Sequence, residues 1–176
     1  MCSVGWRFDA GVAALEGLSL AIGVVLAQVL ERHELKPGLK WPNDVLVGDG
    51  KLAGILAEVS APVVVMGLGL NVSFDETERP DPNAVSLSML GHHADRNELV
   101  ISLLQGLSSR LAHWRAAAGA DADLAADYRN ASTTRARRRW SACLSGSGAG
   151  SIPCSGRLSI SGSGPSLERS GRRSQW

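Results

Sequence analysis

Leu39-Lys40-Trp41-Pro42-Asn43-Asp44-Val45-Leu46-Val47-Gly48-Asp49-Gly50-Lys51-Leu52-Ala53-Gly54-Ile55-Leu56-Ala57-Glu58-Val59 sets charged and amide side chains at the ends of two apolar runs. Pro42 has no backbone donor and restricts Trp41 to extended geometry, so Trp41 to Asp44 are expected at a strand end and outside a ladder. Gly48-Asp49-Gly50 is a turn that tolerates positive φ between Val45–Val47 and Leu52–Val59. The expectation is a β-hairpin that brings Asp44 and Lys51 close together.

Outward from the hairpin, Met1 to Arg7 reads as a short strand, and Ala13 to Arg32 as a helix apolar nearly all round, which must be buried. Val63 to Leu70 is a further strand, which makes the domain a mixed sheet packed on helices, of α+β type. Phe74 to Ser86 is acidic, holds Pro80 and Pro82, and reads as a surface loop. Asp95 with Glu98 has the spacing of a capping box, and Leu99, Leu103, Leu107 and Leu111 recur at i+4 up to Trp114, the clearest amphipathic helix of the chain. Asp121 to Tyr128 reads as another short helix.

At 176 residues with 44% hydrophobic content, the chain can bury one core. Its net charge of +1 conceals a division: Met1 to Thr134 holds 10 basic and 16 acidic residues, whereas the remainder holds 8 arginines and only Glu168 as an acid. That tail also carries 11 serines and 7 glycines without an apolar period, so disorder is expected there. Cys2, Cys143 and Cys154 lack metal-ligand spacing, and an odd number makes no disulfide framework, which favours a reducing compartment. Gly17 to Val29 is too short for a membrane span and lacks the basic start of a signal peptide.

Two dinucleotide or nucleotide motifs are excluded. The third glycine of a G-x-G-x-x-G beginning at Gly67 would fall on Val72, and no G-x-x-x-x-G-K-[ST] run exists. His92 and His93 are adjacent without a nearby cysteine or third histidine, so no metal-ligating residue is assigned.

The run Lys40 to Val59, followed by Val63-Val64-Val65-Met66-Gly67-Leu68-Gly69-Leu70-Asn71-Val72, resembles the core signature of the biotin protein ligases, biotin–[acetyl-CoA carboxylase] ligases. The likeness covers roughly Ser3 to Ser132 and implies a class II synthetase-like biotin/lipoyl ligase fold. It divides the chain into a partial catalytic domain over 1–132 and a tail over 133–176 standing where the family has an SH3-like barrel. The Arg/Ser/Gly-rich tail is read as an out-of-frame version of that region. A Gly/Arg-rich loop of the form GRGRxGR, which the family uses to close over biotin, is not found, so the catalytic domain is expected to be incomplete and activity impaired.

The resemblance implies ATP-dependent biotinylation, through biotinyl-5'-AMP, of a lysine on a biotin carboxyl carrier protein, with ATP, Mg²⁺ and biotin as the small molecules. Cytoplasmic location is expected, with no membrane and no specific nucleic acid as partner. By resemblance Lys51 stabilises charge at the acyl phosphate; on position alone it reads as an exposed hairpin lysine. Asp44 orients the incoming amine or helps hold Mg²⁺, or else caps a turn. Asn43 and Asn71 can each donate and accept, which suits an adenine edge or phosphate oxygens, or they are plain turn residues. Trp41 packs at the ligand or in the core. Gly67 and Gly69 let backbone approach the nucleotide, and Gly54 is assigned to close strand packing. A lipoyl or octanoyl protein ligase and a non-catalytic truncated fragment are the alternatives; the Trp41-Pro42 pair favours the biotin type.

Overall fold

The computed structural model describes residues 1–8, 17–60, 62–119, 122–133 and 158–160. The strands are β1 (Cys2–Arg7), β2 (Pro37–Lys40), β3 (Asp44–Val47), β4 (Gly50–Ser60), β5 (Val63–Leu70) and β6 (Leu158–Ile160), and the helices are α1 (Leu18–Glu31), α2 (Arg96–Ala116) and α3 (Ala122–Ala131). The sheet runs β1-β5-β4-β3-β2 with antiparallel neighbours, and β6 lies parallel to the far end of β4. The α+β expectation is met. The remainder of the tail expected to be disordered lies outside the described residues.

Alternation decides which sheet face is covered. On β5, Val64, Met66 and Leu68 are buried, while Val65, Gly67 and Gly69 turn to the other side. On β4, Ala53, Ile55, Ala57 and Val59 are buried. Helix α1 covers this face, and its apolar circumference explains why: nearly all its residues, from Leu18 to Leu30, are buried between the sheet and the other helices. Gly23 of α1 lies where a Cβ would touch Ile55 and Leu39, and Gly106 of α2 lies where one would press on Val25 of α1. The core is therefore a sandwich of sheet, α1 and the pair α2/α3.

Helix α2 buries Leu99, Leu103, Leu107 and Trp114, as the i+4 spacing predicts, with Leu111 packed alongside. Asp95 caps its start by accepting from the amides of Asn97 and Glu98. The reciprocal capping box, however, forms at Asp75 and Glu78, around a short 3₁₀ turn (Glu76–Glu78) inside the acidic loop. Thr77 donates to Asp75 from both its hydroxyl and its amide, and these two bonds hold the exposed Asp75 carboxyl below its ordinary pKa. The loop is also more embedded at its end than a surface reading allows: the Ser86 side chain is fully buried and donates to the carbonyl of Phe74 at 2.7 Å.

Strand β2 is an addition to the sequence reading, since Pro37 and Gly38 look like breakers. Pro37 is its first residue, where the missing donor does least harm. Beyond β2 the chain returns at Ser132 and Thr133, whose amide donates to Leu39 at 3.1 Å. An ion pair between Arg110 and Asp127 joins α2 to α3.

Candidate functional site

The hairpin forms as expected, with a tighter turn. Val47 pairs with Gly50, leaving Gly48-Asp49 as the connection, and Gly48 takes φ +59°. Asp44 is the first residue of β3 and pairs with both Lys40 and Gly54, so it belongs to the ladder rather than preceding it. The preceding turn contains a cis Trp41–Pro42 peptide.

Lys51 Nζ lies 2.8 Å from Asp44 Oδ1, with side-chain exposures of 44% and 20%. Simple alternation would not give this. Gly54 and Lys51 are three apart on β4 and should face opposite sides. The register breaks between them: Val45 pairs with Ala53, but Leu46 pairs with Lys51, leaving Leu52 as an inserted residue. Leu52 and Ala53 are both buried, at 0% and 1% exposure. This β-bulge turns Lys51 onto the same face as Gly54 and Asp44.

That face is paved with glycine. Gly54 pairs with Gly69, and Gly67 sits two residues along β5, opposite Ser3 of β1. A Cβ built on Gly54 would come no closer than 3.6 Å to any neighbour, on Gly67 no closer than 3.7 Å, and on Gly69 no closer than 3.9 Å. Packing inside the described structure therefore does not demand glycine at these positions, and the assignment of Gly54 to close strand packing is corrected. Glycine weakens a strand interior. Its repeated use here fits a surface on which something else must lie close to the backbone, with the Lys51 ammonium and Asp44 carboxylate at its border.

Two asparagines lock the frame. Asn43 Nδ2 donates to the Ile55 carbonyl at 2.9 Å, and the Ile55 amide donates back to the Asn43 carbonyl at 2.9 Å, which pins the β2–β3 turn onto β4. Asn71 Nδ2 donates to the carbonyls of Lys51 (3.2 Å) and Val85 (3.1 Å). The Lys51 amide donates to Asn83, and its carbonyl also accepts from Val85. Lys51 thus has a backbone fixed from both sides under a side chain that is half exposed. The fixation by segment 83–85 has no local sequence signal. Trp41 is half-buried against the core.

Of the residues the sequence singled out, Lys51, Asp44, Gly67 and Gly69 share one face; Asn43, Asn71 and Trp41 support it from its edges. Asn71 also lines a separate apolar cavity of about 450 Å³ between the end of β5 and α2, on the helical side. Among the described residues, no group of three His, Cys, Asp or Glu side chains is placed to hold a metal ion, and no helix is long and apolar enough to cross a membrane.

No family model matches the chain. The chain is 49% identical over 138 residues to a biotin–[acetyl-CoA-carboxylase] ligase of Mycobacterium tuberculosis, covering 75% of this chain and 50% of that protein. It is 39% identical over 117 residues to the bifunctional ligase/repressor BirA of Escherichia coli, covering 62% of this chain and 36% of BirA. The chain thus spans half or less of the length of these curated relatives. Among solved structures, the biotin protein ligase of Aquifex aeolicus superposes with a TM-score of 0.64 at 25% identity, over 74% of this chain and 60% of that one. The same enzyme in complex with biotin and ATP superposes with a TM-score of 0.62 at 25% identity, over 74% and 56% of the two chains.

Proposed function

We propose that this chain, which belongs to the biotin protein ligase family, carries the face on which biotin is joined to the α-phosphate of ATP and then passed to a lysine of a biotin carboxyl carrier protein. In the first step a biotin carboxylate oxygen bonds to the α-phosphorus and pyrophosphate leaves. In the second the carrier amine bonds to the acyl carbon and AMP leaves. Both steps concentrate negative charge around the acyl phosphate, where a positioned ammonium is worth most once water is excluded.

The observation that carries this reading is the Lys51–Asp44 pair, 2.8 Å apart on a glycine-paved sheet face. Lys51 is the charge-stabilising group. Asp44 holds the ammonium in place and orients the incoming amine. Gly54, Gly67 and Gly69 leave the biotin and nucleotide room against the backbone. Asn71, its two amide hydrogens held by carbonyls, presents Oδ1 as an acceptor suited to an exocyclic adenine amine. Asn43 and Trp41 position the turn that carries Asp44.

Magnesium fits only as an ion shared with substrate phosphates: Asp44 can lend one carboxylate, and Mg²⁺ habitually takes the rest of its shell from phosphates and water. When bound, it would neutralise phosphate charge. An acyl adenylate is open to hydrolysis, and Lys51 is 44% exposed among the described residues. Labelling by the chain alone should therefore be weak.

The test is biotin incorporation into a purified carrier domain by this chain with ATP and Mg²⁺, beside Lys51→Ala. Labelling that depends on Lys51 supports the reading; labelling unchanged by the substitution refutes it.

A further inference from the structure

A row of paired residues crosses the sheet beside Lys51 and ends in a second lysine. Lys40 pairs with Asp44, Asp44 with Gly54, and Gly54 with Gly69, from β2 to β5. Residues paired across a ladder put their side chains on one face. Leu39 and Val45, the neighbouring pair, are buried at 2% and 0% on the helical side. Lys40 therefore stands on the open face with Asp44, and it is exposed. Strands lie about 4.8 Å apart, which puts the Lys40 and Gly54 backbones roughly 10 Å from each other.

The Lys40 ammonium is uncommitted. Asp44 is its natural cross-strand partner, but Asp44 Oδ1 holds Lys51, whose Nζ lies 3.7 Å from where a Cβ on Gly54 would stand. None of the ion pairs among the described residues includes Lys40. The Lys51–Asp44 pair carries no net charge, so Lys40 adds one positive charge at the β2 end of the face. The other end has the reverse character. Along β4, on the side of Gly54, come Leu56, opposite Gly67, and then the exposed Glu58, opposite Val65. The face grades from cationic at Lys40, through apolar, to anionic at Glu58.

A nucleotide has one favourable direction on such a face. With the α-phosphate at Lys51 and the base at Asn71, the remaining phosphates run either over Leu56 toward Glu58 or past Asp44 toward Lys40. The first course sets phosphate against apolar surface and a repelling carboxylate; the second ends at an ammonium with no competing partner. We infer that Lys40 binds the terminal phosphates of ATP and holds the pyrophosphate as it leaves, a role that rests on the function proposed above and adds a residue to it. When the biotin carboxylate oxygen bonds to the α-phosphorus, the bond from that phosphorus to the bridging oxygen breaks, and its electron pair stays on pyrophosphate. The Lys40 ammonium stabilises that added charge. Once pyrophosphate has gone, Lys40 has no part in the transfer to the carrier lysine.

The experiment compares, by calorimetry, ATP and AMP binding, both with Mg²⁺, for the parent chain, Lys40→Gln and Lys40→Arg. Lys40→Gln should weaken ATP by about tenfold or more, the scale of one lost hydrogen bond to a charged group, and leave AMP, which lacks the terminal phosphates, unchanged. Lys40→Arg should keep most of the ATP affinity, and the three chains should melt together because the side chain is exposed. In turnover, pyrophosphate release by Lys40→Gln should slow by about the same factor, while transfer from supplied biotinyl-5'-AMP to the carrier domain keeps the parent rate. An ATP affinity unchanged by Lys40→Gln overturns the assignment, as expected of a lysine that only balances Asp44. So does an equal loss for ATP and AMP, the mark of a disturbed strand end, and so does slowed transfer from supplied adenylate, which would place Lys40 against the carrier. These results leave Lys51-dependent labelling, and with it the function proposed above, standing. A parent chain that binds neither nucleotide overturns both.

Discussion

Lys51 and Asp44 meet on one face of the sheet only because Leu52 is an extra residue in β4. The ion pair itself contributes little to folding, since exposed pairs are worth about 0–1 kcal/mol. Lys51→Ala should therefore leave the melting temperature within about 4 °C of the parent. Biotinyl-adenylate formation, read as pyrophosphate release, should fall by about 100-fold or more, the scale set by removing a single preorganised charge-stabilising group. A large loss of stability with little loss of rate would reverse the assignment.

Gly54→Ala and Gly69→Ala separate packing from ligand approach. Neither Cβ meets a neighbour closer than 3.6 Å, and alanine in a strand is favoured over glycine by about 0.5–1 kcal/mol. Both variants should melt at or above the parent temperature. Biotin affinity, measured by calorimetry, should drop by about tenfold or more, since overfilling a fitted surface costs roughly 1–3 kcal/mol. Unchanged affinity would show that nothing lies against these glycines.

Asn71→Ala removes two donors from the carbonyls of Lys51 and Val85, and urea denaturation should show a loss of about 1–3 kcal/mol. Asn71→Asp is the sharper test. It keeps the shape but turns an acceptor toward two carbonyl oxygens, so it should destabilise more than alanine does. Equal effects would mean that the amide orientation is not what holds segment 83–85.

Asp75 should titrate below an ordinary aspartate in carbon-detected NMR, and Thr77→Val should raise it by removing the hydroxyl donor. The folded pKa lies below the unfolded one. The contribution of this cap to stability is therefore present above the unfolded pKa and is lost as pH falls through the folded one. An Asp75 titration unaffected by Thr77→Val would discard the cap.

Much of this arrangement is readable from residue spacing. The buried α1, the leucine stripe of α2 and the hairpin follow from periodicity, because long apolar runs leave few ways to be buried. Strand β2 is not readable: Pro37 and Gly38 argue against a strand unless it is known to begin there at an edge. The bulge is hidden for a different reason. Leu52 and Ala53 read as one more apolar step in a buried run, and only pairing with β3 shows that one of them is inserted. Asn43 and Asn71 expose a limit of chemistry rather than of pattern, since an amide donates and accepts equally well and only its neighbours decide which. The shift of the capping box from Asp95 to Asp75 is similar: both have Glu three residues on, and the second was masked by the prolines around it.

The same inserted Leu52 has a thermal consequence. Its side chain is wholly inside the core, at 0% exposure, and it is joined by one peptide bond to the lysine assigned to the chemistry. The Cα of Lys51 cannot drift without extracting that leucine, so local breathing, which loosens many surface loops, is denied to it. Heat inactivation of Lys51-dependent chemistry should then run together with melting of the whole sheet, with no temperature window in which the fold persists and the lysine has lost its aim.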